Sequence, residues 1–238
     1  MLNLNELFAG LSLEDRRISH FFIMTSGDQH LFASTQAFCS KRSIDAKFVD
    51  VEWNTGWLKA TNLGISHCPT NQHVVLMNDD VLVSENMFTN MNTILDSCPD
   101  IGVLAPCYND IYSHQHTANK YNGLPMGFTP ASPAPLRQVG FVDGTCMAMN
   151  AKEVLMLNEV FLPSGWGADI DLCIRSKRLG KKVAVTESAY LFHKKAETAR
   201  RIYGSMEAYI AAAGLDMDRA AIDQYGSIDN FRLDAARI

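Results

Sequence analysis

The chain has no CxxC pair, no apolar run of membrane-spanning length, no basic excess and no internal repeat, and each absence removes a class of protein. Its six cysteines (Cys39, Cys68, Cys98, Cys107, Cys146, Cys173) sit singly in apolar or mixed stretches. That excludes a zinc-ribbon framework and reads as reduced thiols used as small core residues. The longest apolar runs, such as Val74–Met77 and Ile101–Ala105, fall far short of the ~20 residues a bilayer-crossing helix needs. A net charge of −5, from 21 basic and 26 acidic residues, gives no global attraction to nucleic acid or anionic membrane. Residues 1–17 alternate Leu with Asn, Glu and Asp and show no basic leader before an apolar run. The expectation is a cytoplasmic protein without a signal peptide, with peripheral attachment to a membrane left open. What is present, 238 residues of which 47% are apolar, suits one domain whose core buries roughly 70% of the unfolded surface.

Short apolar runs alternate with stretches of helical period, the pattern of an α/β sheet with crossover helices. The pattern predicts strands over Ile18–Thr25, Ala46–Glu52, His73–Met77, Ile101–Ala105, Gln138–Val142, Thr145–Met149, Lys182–Val185 and Ala189–His193. Helices are expected from Asp28 to about Arg42, over Thr55–Cys68, from a cap at Ser84 to Cys98, from Ala151, and over Asp169–Leu179 with Gly180 as its C-terminal cap. The tail from Lys194 is mostly of helical composition. Between Pro106 and Arg137 periodicity vanishes, and a loop of that length is expected to be a functional lid or a mobile segment.

Three clusters at element ends can carry chemistry: Asn78-Asp79-Asp80, Asp169-Ile170-Asp171 and the single His193. Each has a plain structural reading. The first can open a turn, the second can cap a helix, and His193 can be an ordinary half-buried histidine. Their order changes the weighing. Asn54-Thr55-Gly56-Trp57-Leu58-Lys59-Ala60-Thr61-Asn62-Leu63-Gly64-Ile65, then Val74 to Val81 with its Asn-Asp-Asp, then Gly165 to Arg175, Leu179-Gly180 and Phe192-His193 follow one another along the chain. Together these segments resemble the GT-A glycosyltransferases of the large inverting family 2, with the rhamnosyltransferase-like bacterial members most similar.

The resemblance implies a single GT-A domain over residues 1–198, a mainly parallel sheet flanked by helices, with residues 199–238 as a C-terminal helical extension packed on or beside it. It implies transfer of a hexose or deoxyhexose from a UDP- or dTDP-sugar to an acceptor hydroxyl, with inversion. A nucleoside diphosphate accumulates charge as it leaves, which calls for a divalent cation. Asp80 and His193 with the diphosphate would suit Mn²⁺ or Mg²⁺, the imidazole favouring Mn²⁺. Asp79 is then available to the sugar hydroxyls, and Asp169 is the implied base that takes the acceptor's proton. Thr25, Asp50 and Asn54 fall where the donor rests in this family, and Trp166 is the best candidate for stacking on an acceptor. The acceptor stays open among a glycan, a lipid-linked saccharide, another hydroxyl-bearing polymer and nucleic acid.

Two departures stand out. Ala168 occupies the position where the family carries Glu before its catalytic Asp, leaving Asp169 without a paired acid; Asp171 lies about 200° round the helix and reads as structural. The acidic, Ser-containing loop expected after the second strand is also missing, so Asp50 is either its replacement or a plain strand-end residue. Residues 168–201 carry a local charge of +5, read either as solvated helix faces or, at Lys194, Lys195 and Arg200, as a flank for phosphate. Two other classes remain: a nucleotidyltransferase, for which Thr25-Ser26-Gly27-Asp28-Gln29 lacks the glycine-rich basic loop, and a silent sugar-binding protein, which Ala168 keeps open.

Overall fold

The structure, a computed structural model, describes residues 7, 10–19, 21–25, 29–51, 55–109, 114–116, 136–194 and 203–238. Helix α1 (Leu13–Ile18) occupies the start of the stretch expected as the first strand, which begins only at β1 (Phe21–Thr25). Helix α2 (Gln29–Lys41) then crosses to β2 (Ala46–Asp50), which pairs parallel to β1 with Thr25 opposite Asp50. Helix α3 (Trp57–His67) leads to β3 (Val74–Met77), and a turn at Asn78-Asp79-Asp80 passes straight into β4 (Val81–Val83). After α4 (Met87–Ser97) come β5 (Ile101–Tyr108), β6 (Leu136–Gln138) and β7 (Cys146–Met149). Helix α5 (Ala168–Arg178), β8 (Lys182–His193), α6 (Met206–Tyr225) and α7 (Ile228–Ala236) complete the chain.

The larger sheet has the order β3-β7-β5-β8-β4, with β6 also on β8. It is mixed rather than mainly parallel. Among the described strands only β1 with β2 and β5 with β8 run parallel, while β3 with β7, β7 with β5, β4 with β8 and β6 with β8 are antiparallel. The parallel expectation assumed a helix between every pair of strands. In fact β3 passes into β4 through the turn at Asn78-Asp79-Asp80, and β6 is followed by β7 with no helix between them, so no crossover helix imposes parallel pairing there. Both faces of the sheet are covered: on β7, Met147 and Met149 join one buried cluster and Cys146 and Ala148 the other. Two buried faces explain why these strands read as continuous apolar runs rather than alternating ones.

Local chemistry accounts for three further differences. Ser84 does not cap α4; its hydroxyl accepts the Tyr190 N–H (3.0 Å) and its own N–H donates to the Tyr190 carbonyl (2.8 Å), stitching the end of β4 to β8. The start of α4 is satisfied by buried Asp15 of α1, whose Oδ1 accepts from the Thr89 N–H (2.8 Å) and hydroxyl (2.9 Å). No helix follows Ala151, because Asn62 of α3 bonds both to the Leu157 N–H (2.7 Å) and to its carbonyl (2.9 Å), holding that segment extended before a short 3₁₀ turn at Glu159–Phe161. The two strands expected after Gly180 are one strand, whose register against β5 shifts between Ile101 and Val103 and again between Pro106 and Cys107. There the Thr186 hydroxyl accepts the Ser188 N–H (3.1 Å) and keeps a buried backbone group satisfied. Gly180 does end α5, at φ 79°. Of the long loop expected from Pro106, residues to Tyr108 belong to β5, and most of the remainder lies outside the described residues.

The C-terminal helices share the main core, contributing Ala220, Ala221, Tyr225, Phe231 and Ala235. Their anchor is Asp171, fully buried, which accepts from Arg175 Nε (2.6 Å) and from the Tyr225 hydroxyl (2.6 Å). Lys177 Nζ adds bonds to the carbonyls of Asp234, Ala235 and Arg237 at the end of α7. Removing one partner strands the others without a counter-charge. Asp171→Ala is therefore expected to lower the unfolding free energy by about 3–5 kcal/mol, read as a lower urea midpoint at unchanged slope, with Asp171→Asn milder because its amide oxygen still accepts the Tyr225 hydroxyl.

Candidate functional site

The site is built at the carboxyl ends of the strands, where open α/β sheets bind ligands. At one pole, Val81 of β4 pairs with His193 of β8, so the preceding Asp80 and the end of β8 must meet. Asp80 Oδ1 lies 3.1 Å from His193 Nε2. It is buried, yet it accepts no hydrogen bond there. Two ligand-type atoms thus converge without satisfying each other, and a buried carboxylate oxygen left this way fits a shared cation. The Lys194 N–H donates to the Asp80 carbonyl (3.0 Å), fixing the backbone, and Asn109 clasps His193 on both sides, its Oδ1 accepting the His193 N–H (2.8 Å) and its Nδ2 donating to the His193 carbonyl (3.1 Å). Asp79 is exposed beside them. Among the described residues no cluster of three metal-ligating side chains occurs, so a cation here would draw its remaining ligands from the diphosphate and water.

The other pole is Asp169, half-buried in the first turn of α5. Its Oδ2 accepts the Gly144 N–H (2.7 Å) and its Oδ1 accepts the Ile170 N–H (2.9 Å). Burial first, then the neighbouring Asp143 carboxylate, push its carboxyl up to about 6, against the lowering effect of those two amides. The turn is shaped by glycine. Gly167 begins α5 at φ 86°, and a Cβ on Gly144 would meet the Trp57 ring at 2.7 Å. Trp57 thus packs against the turn that holds Asp169.

Trp166 lies edge-on to Tyr209 with centroids 5.7 Å apart, and Tyr209 meets Tyr203 at 5.2 Å. Tyr209 is near enough to Asp169 for the carboxylate to help raise its phenol, behind burial and Tyr203. Thr25 and Asp50 are brought side by side as paired residues at the ends of β1 and β2. Asn54, Ser26, Trp53, Lys195 and Arg200 lie outside the described residues. Asp171 is not in the site, being spent on Arg175 and Tyr225. Much of the basic stretch is engaged in ion pairs, Lys181 with Glu153 (3.0 Å), Lys182 with Asp100 (2.6 Å) and Arg178 with Asp234 (2.7 Å), which fits solvated faces at those positions.

Sequence reasoning missed Asn109, Asp143, Tyr108 and the tyrosines of the α6 region. Asp143-Gly144 following an apolar run was a turn signal, and Tyr203 and Tyr209 were aromatic residues in a tail treated only as helical. Asn109 and Tyr108 carried no local signal, since their roles exist only through pairing with residues far along the chain.

No protein-family model matches the chain. An uncharacterized protein of Mycobacterium tuberculosis and its counterpart in Mycobacterium bovis are each 26% identical over 159 residues, 63% of this chain. The chain matches over only 58% of those relatives' length. Among solved structures, GalNAc-T7 with UDP, GalNAc and Mn²⁺ superposes with a TM-score of 0.59 at 12% identity, covering 91% of this chain and 48% of that one. The mannosyltransferase PcManGT from Pyrobaculum calidifontis with GDP-Man and Mn²⁺ gives a TM-score of 0.57 at 14% identity, covering 98% and 74%. These neighbours are GT-A glycosyltransferases, and at such identity they establish the fold: this chain is a single-domain α/β protein with the GT-A fold. Among the described residues no helix is long and apolar enough to cross a membrane.

The Asp169 carboxyl makes stability depend on pH. Between the unfolded value near 3.8 and the folded value of about 6, the native state holds the proton that the unfolded chain releases. Stability therefore falls as pH rises through that window, by up to about 3 kcal/mol and less for a carboxyl with residual solvent contact. Urea unfolding from pH 4 to 7 should show this decline in the wild type, and the difference from Asp169→Asn should shrink toward the acid end.

Proposed function

We propose that the protein is a metal-dependent inverting glycosyltransferase that moves a hexose or deoxyhexose from a UDP- or dTDP-sugar to an acceptor hydroxyl. The observation that carries this reading is the convergence of Asp80 and His193 on an unsatisfied carboxylate oxygen. A half-buried Asp169 stands elsewhere in the site of a GT-A sheet. Both structural neighbours were solved with Mn²⁺ and a nucleotide or nucleotide sugar, which supports a divalent cation and a nucleotide-sugar donor for this chain as well.

In this reading Thr25, Asp50 and Asn54 face the nucleoside, and Asp79 hydrogen-bonds the sugar. Asp80 and His193 hold Mn²⁺ or Mg²⁺, which supplies charge stabilisation for the departing diphosphate. Asp169 accepts the proton of the acceptor hydroxyl as its oxygen bonds to the anomeric carbon. The bond from that carbon to the phosphate oxygen breaks, its electron pair leaves with the nucleoside diphosphate, and single displacement inverts the centre. A carboxyl held near 6 is a better base than an ordinary aspartate and is still ionised at neutral pH. Trp166 offers an aromatic edge to the acceptor, for which a glycan, a lipid-linked saccharide or another hydroxyl-bearing polymer fits. Residues 1–198 form the transferase domain and residues 199–238 its helical extension.

Isothermal titration of UDP and dTDP with and without Mn²⁺ tests the metal pole. Asp80→Ala is expected to abolish the metal-dependent part of the affinity and His193→Ala to weaken it less, whereas full Mn²⁺ dependence in Asp80→Ala would refute the assignment. For the base, Asp169→Asn is expected to keep donor affinity and lose transfer by about 10²–10⁴-fold, measured as turnover beside donor Kd. Normal turnover in that variant would remove Asp169 from the chemistry.

A further inference from the structure

Ala168 is fully buried, so the start of α5 offers no second acid beside Asp169. One arrives from another part of the chain. The adjacent amides of Gly144 and Thr145 donate to two different carboxylates, Gly144 N–H to Asp169 Oδ2 (2.7 Å) and Thr145 N–H to Asp143 Oδ1 (3.3 Å). We propose that Asp143 is the second carboxylate of the acceptor site, a positioning residue that acts through Asp169 and takes the place of the acid missing at Ala168. This rests on the reading of Asp169 as the base.

Asp143 is held from three directions. The Tyr108 hydroxyl donates to its Oδ2 through a short bond, Thr145 donates to its Oδ1, and its own N–H donates to Gln115 Oε1 (2.9 Å). Gln115 is itself fully buried, with its Nε2 on the Pro106 carbonyl (3.1 Å) and its carbonyl accepting the Tyr108 N–H (3.0 Å). A turn alone needs none of this; Asn or Ser would cap it without placing like charge beside Asp169. Two carboxylates on one turn disfavour each other's ionisation, and retaining them raises the basicity of whichever meets the acceptor. The same turn fixes geometry, since the Gly144 amide that orients Asp169 is anchored by the residues on either side of it. The titratable side chains facing Asp169 are Asp143 from the turn, Tyr209 from α6 and Cys173 on its own helix, with Lys177 beyond Cys173; of these, Asp143 is the carboxyl group.

The test is a carboxyl ¹³C titration of Asp143 and Asp169 in the intact protein, from pH 3 to 8. In the wild type each resonance is expected to show an inflection at the other's midpoint, the mark of a coupled pair. Asp143→Asn is expected to lower the Asp169 midpoint and to carry the acid limb of the transfer rate down with it, while Asp143→Glu restores both and Mn²⁺-dependent UDP affinity stays constant in both. An unmoved Asp169 midpoint in Asp143→Asn, or independent titrations in the wild type, overturns the role; the wild-type measurement decides even where the Asn variant fails to fold. Coupled titration beside full transfer by Asp169→Asn overturns the base reading and the role with it. Independent titration beside lost transfer in Asp169→Asn overturns only the part assigned to Asp143.

Discussion

Strand β8 hydrogen-bonds to β5 along its length, to β6 beside its first half and to β4 beside its second. That shared pairing sets the site. The register of β4 on β8 leaves no freedom in where Asp80 meets His193: a slip of one residue would turn His193 to the other face of the sheet and take Val81 and Val83 out of the core cluster they join. Because Val81 and Val83 are almost wholly buried, the hydrophobic cost of slipping protects the polar contact, and the core thereby positions the chemistry.

The two poles of the site are held by different physics. Cross-strand register fixes Asp80 and His193, whose Oδ1 and Nε2 lie 3.1 Å apart with the Asp80 oxygen accepting no hydrogen bond. Asp169 is fixed by local backbone: a glycine at positive φ starts its helix, and two amides orient its oxygens. Tyr108 lies between them, its ring centroid 6.5 Å from that of His193 and its hydroxyl bonded to Asp143, the residue before the Gly144 amide that orients Asp169. A rigid aromatic at the end of β5 spans the gap with few rotatable bonds, so the spacing of the poles depends on the sheet more than on any loop.

What the sequence allowed to be read follows from how local each signal is. Asp79, Asp80, Asp169 and His193 could be singled out because they stand at element ends, in segments whose order along the chain carries the resemblance. Asp171 was placed off the site from helical angle alone, and its bonds to Arg175 and Tyr225 agree. The sheet's direction was misread because strand direction is set by the connections, and the loop after β5 carries no periodic signal. The Ser84 cap failed for a related reason: a serine before a helix is a fair N-cap signal, but Tyr190, far along the chain, claimed its hydroxyl. Asn62 shows the same competition, holding Leu157 in a stretch whose composition suggested helix.

The C-terminal helices raise a final point about which residues belong to the site. Their inner faces lie in the same core as α5, and Asp171 ties α6 to the helix that carries Asp169. Holding α6 in this way sets Tyr209 against Trp166 and within electrostatic reach of Asp169. The clamp is a buried charge whose partners lie on two helices, and such a charge is stable only when all its partners are in place. The wall beside Asp169 therefore forms only when the C-terminal helices dock, so the residue that reads as purely structural also determines whether the aromatic group beside Asp169 is assembled.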